Sequence, residues 1–218
     1  WYIPIIPMIL VNGGKGIGTG FSYEGLSYNP TQIIDYLKYS IKNPEKINTH
    51  KIDPYYEGFK GKIIKIEEEK FLYKGCYEII NFDTIKITEL PIGTWTSDYK
   101  AYLETLIEDK TKTGKKREPI VKTYIDSCTD TVIEFTVKLH IGKLPDLIAK
   151  NITKHINALE KVFKLTTTKK TSNMYLFNKE QQLRKYHTIY DIINEFVDIR
   201  LDAYVRRKAY IIDMLERE

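Results

Sequence analysis

The chain has 218 residues, 42% hydrophobic and 12% aromatic, enough for one large or two small domains with a sizeable core, which excludes a peptide-scale fold. Lys and Arg number 34 against 29 Asp and Glu, and the net charge of +5 is concentrated, since residues 109–187 hold 17 basic and 8 acidic side chains. A stretch so biased is compatible with a polyanion running past one part of the surface. Cys76 and Cys128 lie far apart and match no metal-ligand spacing, which argues against a disulfide scaffold and for a reducing compartment. The histidines are equally scattered, so no metal site is expected. The longest apolar run, Ile3 to Val11, is interrupted by Pro4 and Pro7, is too short to cross a bilayer and follows no basic leader. A soluble, intracellular protein is expected. The opening Trp1-Tyr2 and the close inside a helical pattern at Glu216-Arg217-Glu218 suggest a piece of something longer.

In chain order, Ile3–Val11 reads as an extended segment, because each proline fixes its own φ and disfavours the helical region for its predecessor. Asn29 is placed to cap a helix with Pro30 in its first turn, and Ile33, Ile34, Leu37 and Ile41 carry helical spacing to about Lys42. Three β-rich runs follow, Lys62–Glu67, Phe71–Ile80 and Thr84–Leu90, with the look of an antiparallel meander. Thr96 or Ser97 is expected to cap a helix carrying Tyr99, Leu103, Leu106 and Ile107 and ending near Asp109. Lys110–Glu118 has five basic residues and nothing apolar to anchor it, the pattern of a solvated loop. Thr131–Leu139 alternates as a half-buried strand, Leu144 to about Lys164 reads as one or two helices, and Met174–Phe177 as a short strand. From Thr188, which stands three residues before Asp191 in capping-box spacing, a helical pattern runs to the end. At about 1.5 Å per residue it is long enough to project, and a projecting helix needs a partner. The expected fold is α+β, a mixed or antiparallel sheet with flanking helices, followed by a long C-terminal helix.

Residues 13–20 read Gly-Gly-Lys-Gly-Ile-Gly-Thr-Gly. A phosphate-binding P-loop fails, because Ile9 stands where its first glycine belongs and Gly16 follows Lys15. A dinucleotide loop is weak, because the next helix begins about ten residues later. Two readings stay open on the residues alone. One is a tight turn with Ile17 in the core. In the other, Ile17 on a bare glycine ridge is pushed between two base pairs from the minor groove while Lys15 meets a phosphate, kinking the duplex.

Residues 1–20, from Trp-Tyr-Ile-Pro-Ile-Ile-Pro to Gly-Ile-Gly-Thr-Gly, closely resemble the segment of eukaryotic-type DNA topoisomerase II (type IIA) that follows its catalytic winged-helix region. Further blocks resemble the same family in the same order: Phe59–Ile63, Ile87–Thr96, Thr129–Thr131, Lys161–Leu165, Asn173–Phe177 and Ile199–Lys208. The resemblance implies a homodimeric enzyme that bends one duplex, cuts both strands through tyrosines that become linked to DNA 5′ ends, and passes a second duplex through the gap. It implies ATP and Mg²⁺ for the full-length enzyme and no cofactor held by this segment. By the same likeness, residues 1–28 end the winged-helix region, 29–187 form the tower, and 188–218 begin a coiled-coil arm. The family's isoleucine at the place of Ile17 is the intercalating wedge, with Lys15, Gly16, Gly18 and Thr19 beside it at the DNA. Its nucleophilic tyrosine lies upstream of Trp1, so no catalytic residue is assigned among the 17 tyrosines of this chain. Two departures stand out. Phe21–Ser27 lacks the family's proline-containing turn, and Lys15 occupies a position often acidic or small.

The expected partner is therefore double-stranded DNA, with no membrane, in the nucleus if the gene is cellular and in host cytoplasm if it belongs to a large DNA virus. Lys115, Lys116 and Arg117 are further candidates for DNA contact, and Lys143, Lys150 and Lys154 stand with them. Two competing functions are kept: a stand-alone architectural protein that bends DNA without cutting it, and a dimerisation module whose working part is the terminal helix.

Overall fold

A computed structural model describes residues 3–43, 50–108 and 118–218. The elements run α1 (Met8–Asn12), β1 (Gly14–Ile17), β2 (Ser22–Gly25), α2 (Pro30–Lys42), β3 (Lys62–Glu67), β4 (Lys70–Lys74), β5 (Cys76–Ile79), β6 (Thr84–Glu89) and α3 (Thr96–Ile107). They continue with β7 (Val121–Asp126), β8 (Phe135–Leu139), α4 (Lys143–Ala149), β9 (Asn151–Thr153), β10 (Ile156–Asn157), α5 (Ala158–Val162), β11 (Thr166–Lys170), β12 (Tyr175–Phe177), β13 (Leu183–Lys185) and α6 (Ile189–Arg217). The fold is α+β with antiparallel sheets and a long C-terminal helix, as expected. It divides into two compact units, Trp1–Glu57 with Lys170–Glu218, and Gly58–Lys169. Among the described residues no helix is long and apolar enough to cross a membrane.

In the unit of residues 58–169, a four-stranded sheet in the order β5-β6-β8-β7 packs against α3. Ile85, Ile87, Phe135 and Val137 of the sheet meet Tyr99, Leu103 and Leu106 of the helix, and Phe163 closes the cluster. The Tyr99 hydroxyl donates to the Phe163 carbonyl at 2.7 Å, so this deeply buried phenol is satisfied. Beside it lies a three-stranded sheet, β11-β4-β3. Lys74 and Glu160 form a well-buried ion pair at 2.7 Å, and the second Glu160 carboxylate oxygen accepts the Asn157 N–H in the capping box of α5.

The unit containing both ends of the chain is built on α2 and α6. Asn29 caps α2 by accepting the Thr31 N–H at 2.9 Å, with Pro30 in the first turn, as its sequence requires. Ile33 and Tyr36 are the buried face of α2, and the Tyr36 and Tyr190 rings sit 5.2 Å apart. Thr188 and Asp191 form the expected capping box at the start of α6. Ile189, Ile192 and Ile193 are buried there, whereas every residue from Tyr204 onward is exposed.

Several expectations need correction. Ile3–Val11 is not extended throughout: Pro7 is the N-cap of the short α1, since proline ahead of a first turn removes no helical hydrogen bond. Phe71–Ile80 is two strands in two sheets. The chain switches sheets at Gly75, where a Cβ would overlap the Glu89 carbonyl and whose N–H donates to Leu165. The cap of α3 is Trp95, without a side-chain bond, in place of Thr96 or Ser97. The strand expected at 131–139 covers only Phe135–Leu139, and where one or two helices were expected in 144–164 there are two, α4 and α5, separated by a hairpin of β9 and β10. The expected loop at 110–118 lies, apart from Glu118, outside the described residues.

Candidate nucleic-acid interface

The glycine cluster folds as an antiparallel hairpin of β1 and β2, pairing Gly14 with Gly25, Lys15 with Glu24, Gly16 with Tyr23 and Ile17 with Ser22. The tip is closed by the Gly18 N–H donating to the Phe21 carbonyl at 2.9 Å, and Gly20 takes φ +84° there, a value that favours glycine. Because side chains alternate along a strand, the register sorts the hairpin into two faces. Lys15, Ile17, Ser22 and Glu24 share one face. Gly14, Gly16, Tyr23 and Gly25 make up the other, so one of the two faces carries a single side chain.

Ile17 is 84% exposed at the far end of β1, and Lys15 is exposed two residues before it. An isoleucine left this bare in water forgoes roughly 1.5–3 kcal/mol of burial. The core reading of Ile17 is therefore excluded. A Cβ added at Gly16 would meet nothing within 4 Å. Internal packing thus does not require glycine at this position, whereas close approach of an outside surface would. Thr19 is exposed at the tip, and Gly18 lies under the Phe21 ring.

The hairpin is rooted in the unit that carries it. The Glu24 N–H donates to the Asn173 carbonyl at 2.8 Å, Tyr23 bridges to Met174, and the Tyr28 N–H donates to Leu10 at 2.8 Å. Met174 is 2% exposed and its carbonyl accepts the Tyr186 N–H at 2.9 Å, which ties in β13. Tyr23 is 7% exposed, and burial pushes its phenol up to about 12.

Of the residues expected at the DNA, Lys15, Gly16, Ile17, Gly18 and Thr19 come together on this hairpin. Lys115, Lys116 and Arg117 lie outside the described residues. Lys143, Lys150 and Lys154 belong to the unit of residues 58–169, where Lys143 pairs with Glu118 at 2.6 Å. Sequence reasoning missed Tyr23, Gly25 and the Asn173–Met174 anchor. The signal was present in part: glycines alternating with Lys15 and Ile17 are a period-two pattern, the mark of a strand whose one face is bare.

A family model for the DNA gyrase/topoisomerase IV A-subunit matches residues 1–218. DNA topoisomerase 2 of Plasmodium falciparum is 41% identical over all of this chain, and one of Caenorhabditis elegans is 39% identical. The chain spans 14% of the length of each. The crystal structure of the Plasmodium falciparum topoisomerase II DNA-binding, cleavage and re-ligation domain superposes with a TM-score of 0.87 at 41% identity, over 99% of this chain and 27% of that one. The chain belongs to the DNA gyrase/topoisomerase IV A-subunit family.

Proposed function

We propose that this chain is the DNA-bending part of a type II DNA topoisomerase, whose whole form is a homodimer that cuts one duplex and passes another through it. The hairpin enters the minor groove edge-on. Ile17 slides between two base pairs, Lys15 meets a backbone phosphate, and the missing side chain at Gly16 lets the blade fit the groove with Gly18 and Thr19 at its tip. The observation that carries this reading is a large apolar side chain, 84% exposed, on the same hairpin face as an exposed lysine.

The magnitudes assign the work. Unstacking a base step costs a few kcal/mol, and burying Ile17 between bases returns roughly 1.5–3 kcal/mol. The wedge about balances its own insertion, so the further cost of bending, of order 1–6 kcal/mol, falls on phosphate contacts along the duplex. Lys15 is one, and Lys115, Lys116 and Arg117 are assigned as others. Residues 1–28 end the winged-helix region, 29–187 act as the tower and 188–218 begin a coiled-coil arm; this is a division by role, whereas the compact units are a division by packing. The nucleophilic tyrosine, the ATP site and the Mg²⁺ ligands are assigned to other parts of the enzyme. Its workplace follows its genome, the nucleus for a cellular gene and host cytoplasm for a large DNA virus.

Energy transfer across an end-labelled duplex, read in the full-length enzyme, tests the wedge. Ile17→Ala is expected to lower bending and to slow cleavage tenfold to on the order of a hundredfold, from the loss of about 1.5–3 kcal/mol, with duplex affinity little changed. Unchanged bending removes the wedge role. Bending by the parent enzyme without covalent DNA–protein linkage or plasmid relaxation would instead identify an architectural protein.

A further inference from the structure

The glycine face of the hairpin raises a mechanical problem. Gly14, Gly16 and the facing Gly25 supply no side chain, which leaves the paired strands with little packing of their own on this face. Glycine in a strand weakens it, through both backbone freedom and lost packing. A wedge has to transmit force to stacked bases, so a floppy blade would yield before the stack does. Along the paired strands Tyr23 is the one side chain that the hairpin itself puts on that face, with Ile9 reaching it beside Gly14 and Phe21 covering Gly18 at the tip. The Tyr23 ring lies across the Gly14–Gly25 pair: a Cβ at Gly25 would overlap the phenol oxygen, and one at Gly14 would sit 3.7 Å from Cε1. The ring is buried, its backbone bridges to Met174, and the next N–H donates to Asn173. An aromatic ring seated on a glycine pair of neighbouring strands is a known way to restore the packing that glycines forgo.

We infer that Tyr23 is a positioning residue of the bending step: its ring, seated on Gly14 and Gly25, stiffens the hairpin and fixes the angle at which Ile17 meets the duplex. The inference rests on the wedge reading of Ile17. The ring does the work, because the phenol oxygen is buried with no hydrogen-bond partner among the described residues. Gly25 is a required part of the device, since any larger residue there would unseat the ring. Gly14 is not, since it has ordinary contact distance to spare.

The test uses the full-length enzyme with saturating end-labelled duplex, so that bending is read apart from affinity. Tyr23→Phe is expected to bend and cleave like the parent. Tyr23→Ala and Gly25→Ala should each lower bending and slow cleavage by about tenfold or more, the scale on which a misplaced positioning element acts, with affinity within about twofold, and the double variant should be no worse than Tyr23→Ala alone. Gly25→Ala keeps the tyrosine, so a loss there does not stem from lost core volume, and amide hydrogen exchange of the hairpin in each variant reads its stiffness directly. Bending lost in Ile17→Ala but kept in both Tyr23→Ala and Gly25→Ala overturns the positioning role and leaves the wedge standing. Bending kept in Ile17→Ala overturns the wedge reading and this inference with it, and failure of Tyr23→Phe to match the parent overturns the role of the ring.

Discussion

Tyr23 also sets a pH dependence. Burial holds its phenol at about 12 against an ordinary value of 10.0, and Tyr186 is raised to about 12 as well, by burial first and then by its hydrogen bond to Glu195. In each case the folded chain keeps a proton that the unfolded chain releases above 10. The resulting stability is complete below pH 10 and is lost as pH rises through about 12, at most about 1.4 kcal/mol per pH unit for each tyrosine. Tyr23→Phe removes one such group without breaking a hydrogen bond, so its denaturant midpoint is expected to fall less steeply than the parent's between pH 10 and 12. Parallel curves for the two proteins would show that Tyr23 ionises as an exposed phenol does. At this scale the site was half legible in the sequence. The contrast of Ile17 with its flanking glycines singled the residue out but left a core and an outward placement both open, and its 84% exposure decides between them. The seat of Tyr23 was not legible, because it depends on which residue faces which across the hairpin, and register is set by pairing that local spacing does not record.

Among the elements, those with strong local signals formed where the sequence put them. The Asn29-Pro30 cap fixed the start of α2, and the Thr188–Asp191 box fixed that of α6. Elements set by long-range pairing were harder to read. Nothing around Val121–Asp126 marks an edge strand until β8 lies beside it, and Gly75 marks a change of sheet only because the Glu89 backbone passes close by. Such strands owe their existence to neighbours more than to propensity. The last turns of α6 show the converse, a helix with strong local signals that no other described residue covers. Tyr204, Val205, Ile211, Ile212 and Leu215 are all exposed, and the spacing of seven from Tyr204 to Ile211 and from Val205 to Ile212 is that of a coiled-coil seam. An uncovered run of about 14 residues is marginal as a helix in water. In the 218-residue chain by itself, amides of Tyr204–Arg217 should therefore exchange far faster than those of Ile189–Arg200, and the difference should shrink in the full-length enzyme. Equal protection of both halves in the lone chain would remove the need for a partner helix.

For the molecule as a whole, wedge and charge are separable in a way that lets one enzyme be tested twice. The net charge of +5 says little, because many cations of the basic stretch have acidic partners, as Lys138 has Asp83 and Lys143 has Glu118. What matters is which cations displace counterions from DNA. Insertion of Ile17 is an apolar event that itself displaces no counterion, whereas each phosphate contact adds about −0.9 to the slope of log affinity against log salt. Lys15→Ala in the full-length enzyme should therefore make that slope shallower by about 0.9 per protomer, with bending largely kept. Ile17→Ala should lose the bend while keeping the share of Lys15 in the slope, so that any flattening counts only the phosphate contacts that the bend permits. Replacing Lys115, Lys116 and Arg117 together by Ala should flatten the slope by up to about 2.7 per protomer if all three meet phosphates, and no change would assign that run to solvent. A shared loss of both slope and bending in Lys15→Ala would mean that Lys15 orients the hairpin on the duplex before the wedge enters, and that charge and wedge act in sequence.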